Sequence, residues 1–167
     1  MEIPKPQLRS KIAYGFSLLQ QAQMAAAEEL ATELLALADQ DAEVLFFAAE
    51  VKLAAQDIEA ALPLMLKACA AAPGQPQLLL KLARLQMAQR LRTDARRSIA
   101  AAVTAAGRDP KLLWEIGDAY ARLDDPVQAQ HYLDAALMAG CSDARLRFDL
   151  AKACFFRGEF EAAEQHL

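Results

Sequence analysis

Alanine recurs at positions 27, 61, 95, 129 and 163, a spacing of 34 residues kept through the whole 167-residue chain. A single helix or strand repeats its pattern every 3.6 or 2 residues, so a period this long marks a copied supersecondary unit. Other phases agree. Gly15, Ala49, Ala83, Gly117 and Ala151 share one, all small, as a close crossing of two helices requires. Ala68, Ala102 and Ala136 share another, from which Leu34 departs. Asp41, Gln75, Asp109 and Asp143 each stand just ahead of an apolar periodic run, where an aspartate accepts from the free N–H groups of a helix start.

The best-formed copy, Pro110 to Asp143, reads as two amphipathic helical patterns around a polar turn at Asp124 and Asp125. Laid along the chain, the copies fall at 8–41, 42–75, 76–109, 110–143 and an unfinished 144–167. Residues 1–7 are expected to be an extended lead-in, because Pro4 and Pro6 disfavour helix. The turn inside the first copy is expected near Ala22 and Gln23, and that of the second at Gln56 and Asp57. Pro63 bends the following helix if that helix starts at Asp57, and is harmless if it starts later. AAPGQP at 71–76 is the clearest break between copies. Gly107 and Gly140 are expected as helix terminators, Asp125–Pro126 as a cap with proline in the first turn, and Arg157-Gly158-Glu159 as the last turn.

With that register the chain resembles a tetratricopeptide repeat (TPR) array over nearly its whole length. The family pattern asks for Trp, Leu-Gly and Tyr in the first helix, Ala and an aromatic in the second, and a closing proline. The fourth copy answers with Leu113, Ile116, Gly117, Tyr120, Ala129 and Leu133; Trp114 sits one residue late and Cys141 takes the place of the proline, which only Pro73 of the second copy supplies. The resemblance implies an all-α fold, an α-solenoid of antiparallel helix pairs stacked into a right-handed superhelix. It also implies first helices lining a concave face and second helices forming the back. The expected activity is then non-catalytic binding of a partner peptide or helix in that groove. Similar arrays precede catalytic domains in larger bacterial proteins, so a recruiting arm of an enzyme or assembly factor is the alternative, and self-association a third.

On that plan Phe16, Glu50, Arg84, Asp118 and Lys152 form one row down the groove, and Ala13, Phe47, Lys81, Glu115 and Asp149 a second. A third holds Ile12, Phe46, Leu80, Trp114 and Phe148, and Arg122 follows Asp118 by one turn. The groove is thus expected to be apolar and aromatic-bearing with charges of both signs, suited to a segment with apolar anchors and a few ion pairs. Two readings stay open: the alternating charges of the first row pair between copies, and Trp114, Phe46 and Phe148 pack between helices rather than on a floor. Met65, Met87 and Met138 are expected as apolar filler. TPR co-chaperones grip a C-terminal carboxylate with lysines and asparagines at set groove phases. This chain has no asparagine, and Ile12, Phe16 and Phe47 occupy those phases, so that clamp is not expected. A substitute drawn from Arg84, Lys81, Arg122 or Lys152 stays open.

Other functions find little footing. A net charge of −4 and a pI near 5.2 argue against nucleic acid, which needs a surplus of clustered cations; the Arg90–Arg97 run is short and interrupted by Asp94. His131 and His166 lack ligand-spaced companions, no phosphate loop or nucleophile motif appears, and neither a catalytic residue, a metal nor a cofactor is expected. Cys69, Cys141 and Cys154 are odd in number, without a paired spacing, and read as free thiols of a reducing compartment. No membrane span or secretory leader is legible, which points to the cytoplasm, or to the periplasm if a leader preceded Met1. The final helix runs to Leu167 without a stop signal or polar cap, so a continuation, or a homodimer through this uncapped end, is expected to cover it.

Overall fold

A computed structural model describes residues 4–167, which form ten α-helices and no strand among the described residues. In order these are α1 (Lys5–Gln20), α2 (Met24–Leu37), α3 (Ala42–Ala54), α4 (Ile58–Ala71), α5 (Pro76–Ala88), α6 (Arg92–Ala106), α7 (Pro110–Arg122), α8 (Pro126–Met138), α9 (Ala144–Phe156) and α10 (Phe160–His166). They pair as α1/α2 through α9/α10, the helix-pair arrangement of an α-solenoid. The chain divides into two compact units, Met1–Pro73 and Gly74–Leu167. In the first, α3 packs on α4, α2 and α1; in the second, α7 packs on α8, α6, α5 and α9.

Helix starts follow local chemistry. Asp41 accepts from the N–H groups of Glu43 (2.9 Å) and Val44 (3.2 Å), Asp109 from Lys111 (2.9 Å) and Leu112 (3.0 Å), and Asp143 from Arg145 (2.8 Å). Gln75 makes no such bond; Pro76 after it starts α5 with the φ a helix needs and one N–H fewer to satisfy. Asp125 accepts from Gln128 N–H at 3.2 Å and starts α8.

The expected extended lead-in is corrected over 5–7: α1 already begins at Lys5, and Pro6 sits in its first turn, where a missing N–H costs nothing. Residues 1–3 of that lead-in lie outside the described residues. Pro63 stands well inside α4, yet the helix is continuous. Both Pro63 and Glu59, whose carbonyl loses its helical partner, are exposed.

The turns within pairs share one geometry. Ala22, Gln56, Arg90 and Asp124 have φ of 56°, 62°, 61° and 56°, and Gly158 has 78°. At each, two backbone bonds close the preceding helix, for example Ala22 N–H to Leu19 O (3.1 Å) and Gln23 N–H to Leu18 O (2.9 Å). This is a left-handed C-terminal cap in which glycine is the unstrained choice, yet four of the five carry a side chain.

Packing explains the alanine register. Ala27, Ala61, Ala95 and Ala129 have no exposed surface, and Ala163 is buried as well. A Cβ on Gly117 would lie 2.7 Å from the Leu133 side chain and 3.2 Å from the Ala129 carbonyl, so α7 and α8 meet too closely there for any side chain. One core cluster runs from Leu8 to Val51 and another from Leu80 to Ala153, each inside its own unit. Among the described residues no helix is long and apolar enough to cross a membrane, and Cys69, Cys141 and Cys154 are unpaired thiols.

Candidate functional site

The first helices of the second unit, α5, α7 and α9, enclose a cleft of about 770 Å³. Arg84, Met87 and Ala88 contribute from α5; Lys111, Trp114, Glu115, Asp118 and Arg122 from α7; Arg145 and Asp149 from α9. No second helix takes part. Spacing of three and four residues along α7 brings five side chains to one face, the geometry that makes helical neighbours of such positions.

The charges inside are organised by direct contacts. Arg122 Nε donates to Asp118 Oδ2 at 2.9 Å, and this bond raises the arginine pKa above its ordinary value. Arg84 stands 3.8 Å from Glu115 and 4.0 Å from Asp118, ion-paired to both across α5 and α7. Trp114 Nε1 donates to Asp149 Oδ2 at 2.9 Å, which fixes the half-buried indole against α9. All three carboxylates of the cleft are therefore engaged from within. Lys111 and Arg145 make no side-chain hydrogen bond or ion pair with any described residue; only their backbone N–H groups are used, by Asp109 and Asp143.

A second hollow of about 460 Å³ adjoins the first and shares Asp118, Arg122 and Asp149 with it. Its floor is Ala121, Ala129 and Ala153, its rim includes Pro126, Lys152 and Phe156, and the Lys152 ammonium lies 6.0 Å above the Phe156 ring.

Of the residues expected in the groove, the structure gathers Arg84, Trp114, Glu115, Asp118, Arg122 and Asp149 in the cleft, with Lys152 in the adjoining hollow. Lys81 is on α5 but outside the lining, and Phe16 and Glu50 belong to the first unit. Phe47 is corrected: it has no exposed surface and lies in the first unit's core beneath Gly15, its ring 5.2 Å from that of Phe16. Phe148, expected on the floor, is 60% exposed on α9 and lines neither hollow. In that same row Ile12 and Leu80 are core, while Phe46 and Trp114 are half-buried. Met138 is corrected too, being 88% exposed rather than filler, whereas Met65 is buried and Met87 packs on the core from the cleft side.

Lys111, Arg145, Met87 and Phe156 were absent from the expected rows. The signal existed: Lys111 and Arg145 precede Glu115 and Asp149 by four residues, and Met87 follows Arg84 by three, so each row extends along the helix axis. The basic run of α6 is used structurally. Arg92 pairs with Asp124 at 2.9 Å and donates to Leu123 O at 2.6 Å, and Arg96 pairs with Asp125 at 2.6 Å. The Arg96 bond holds the Asp125 carboxyl below its usual pKa. Among the described residues no group of His, Cys, Asp and Glu could hold a metal ion.

A family model described as tetratricopeptide repeat matches residues 15–76 and 80–129. No curated protein sequence matches the chain. Similar solved structures include PilF of Pseudomonas aeruginosa, with 17% identity and a TM-score of 0.79 over 95% of this chain and 72% of that one. MamA of Desulfovibrio magneticus aligns at 14% identity and a TM-score of 0.78 over 95% of this chain and 90% of that one. A chain of the APC/C hetero-tetramer Cut9–Hcn1 aligns at 17% identity and a TM-score of 0.73 over 95% of this chain and 32% of that one. At such identities the likeness is one of fold.

Proposed function

Given that the chain belongs to the tetratricopeptide repeat family, we propose that it is a non-catalytic interaction module whose α5–α7–α9 cleft receives a segment of a partner protein. The observation that carries this reading is the composition of the cleft. Helices from three successive pairs place one indole, one thioether stem and a network of ion-paired side chains around an open volume of about 770 Å³, with no serine, threonine, cysteine or histidine among them. Such a surface recognises rather than reacts. The helix pairs hold one another, so the cleft is formed before a guest arrives and the ordering cost falls on the guest. Cut9, of similar fold, was solved in a hetero-tetramer with Hcn1, one instance of this architecture assembled with another polypeptide.

The test uses immobilised protein against extract of the source cells, with Arg84→Glu and Trp114→Ala alongside. Arg84 is nearly half exposed, and reversing it leaves the helix content unchanged while the captured partner is lost. Equal capture by both variants, with unchanged circular dichroism, overturns the cleft as the binding face.

Self-association is the second reading, favoured by Phe148, Phe155, Phe156 and Phe160, all exposed on the last helix pair. Phe155 stacks edge-on with Phe156 and Phe160 at 6.0 and 5.5 Å, so three rings form one apolar patch. Light scattering over a concentration series decides it; a monomer at the highest concentration removes it.

A further inference from the structure

We infer that the segment received by the α5–α7–α9 cleft is acidic, carrying two side-chain carboxylates that meet Lys111 and Arg145 and a large apolar side chain that meets Trp114 and Met87. The inference rests on the cleft reading above and specifies its guest. Its ground is the unequal way in which the cleft's charges are already used.

Glu115, Asp118 and Asp149 each have a partner inside the cleft, in Arg84, Arg122 and the Trp114 indole. A basic guest would meet carboxylates whose charge Arg84 and Arg122 already offset. Lys111 and Arg145 are exposed and without a side-chain partner among the described residues, so an incoming carboxylate gains attraction without displacing anything. Asp109 and Asp143, at the same helix ends, turn their carboxylates to backbone N–H groups and make no ion pair with Lys111 or Arg145.

Placement sets the guest's pattern. Lys111 and Arg145 occupy the same phase of consecutive copies, each the second residue of its helix, on α7 and its neighbour α9. Packed helix axes lie about 8–10 Å apart, and an extended chain presents same-face side chains about every 7 Å. The flexible Lys and Arg stems cover that difference, so carboxylates two or three residues apart reach both cations. Trp114 lies one helical turn beyond Lys111, with Met87 on the opposite wall, and there the guest's apolar residue packs.

The probe is a display library of random twelve-residue peptides panned on the intact protein at low salt, with the sole tryptophan, Trp114, as reporter of occupancy. The expected result is enrichment of peptides with acidic pairs two or three residues apart next to an aromatic or aliphatic residue. Binding of those peptides should change Trp114 emission and weaken about tenfold or more in the Lys111→Glu, Arg145→Glu double variant. Both residues are exposed, so the variant retains its circular dichroism. Enriched peptides that need Trp114 but show no acidic excess, or that bind the double variant equally well, overturn this inference and leave the cleft reading standing. Peptides indifferent to Trp114→Ala and Arg84→Glu, or no enrichment, overturn both.

Discussion

Gly15→Ala is expected to destabilise the first unit although it places a better helix former in the middle of α1. A Cβ at this position would lie 2.3, 2.6 and 2.9 Å from three ring carbons of Phe47. Carbon atoms in contact settle at about 3.5–4.0 Å, so the ring must retreat by about 1 Å. It has no room to do so: Phe47 has no exposed surface and is braced by the Phe16 ring at a centroid distance of 5.2 Å. Overpacking of this kind costs about 1–3 kcal/mol, and the upper end applies because three atoms clash at once. Alanine's helix propensity offsets about 1 kcal/mol, leaving a net loss of about 2 kcal/mol. Phe47→Leu removes the clashing ring, so in its background Gly15→Ala should stabilise by about 1 kcal/mol through helix propensity alone, giving a coupling energy of about 3 kcal/mol. Urea unfolding followed at 222 nm measures all four corners of that cycle. A Gly15→Ala protein as stable as the parent, or an additive cycle, refutes the packing argument.

Asp125→Ala should cost about 1–2 kcal/mol, measured by urea titration at pH 7, since it removes the α8 cap and the 2.6 Å contact with Arg96 together. Because the Asp125 carboxyl is held below its ordinary value by Arg96, its contribution is complete above the unfolded-chain pKa, near 4, and fades as pH falls through the lower folded value. The parent and the variant should therefore converge in stability in acid, followed by midpoints between pH 3 and 7. Gln56→Gly should stabilise by up to about 1 kcal/mol, relieving a side chain held at a φ of 62°, and Gly158→Ala should destabilise by a similar amount; thermal midpoints of the two should move in opposite directions. Burial pushes the Cys69 thiol up to about 11, so a thiol-specific disulfide reagent at pH 8 should label half-buried Cys141 first and reach Cys69 only once denaturant is added.

Periodicity alone specifies much of this fold. Ala129 and its counterparts, and the aspartates at 41, 109 and 143, announce the fold because one local rule, tight crossing or helix capping, acts identically in every copy. The candidate site was legible in part. Arg84, Trp114, Glu115, Asp118, Arg122 and Asp149 converge as their phases require. Phe47 departs from its expected place because phase states which side of a helix a residue occupies, and the neighbouring element decides whether that side is covered. Phe47 is covered because Gly15 leaves its ring a slot. The turns at Ala22, Gln56 and Asp124 stand where the sequence places them, but their left-handed backbone carried no glycine to announce it.

From the sequence alone came the repeat, its helical class and the register of its small residues, since these depend on backbone chemistry and spacing within some thirty residues. Tertiary structure alone decided which charges are already spent. The Asp118–Arg122 pair is one turn of α7 and legible along the chain, and Lys111 and Glu115 share the same spacing; yet Glu115 is paired with Arg84 of α5 and Lys111 is left open, because pairing across helices depends on distances of about 4 Å that no one-dimensional pattern encodes.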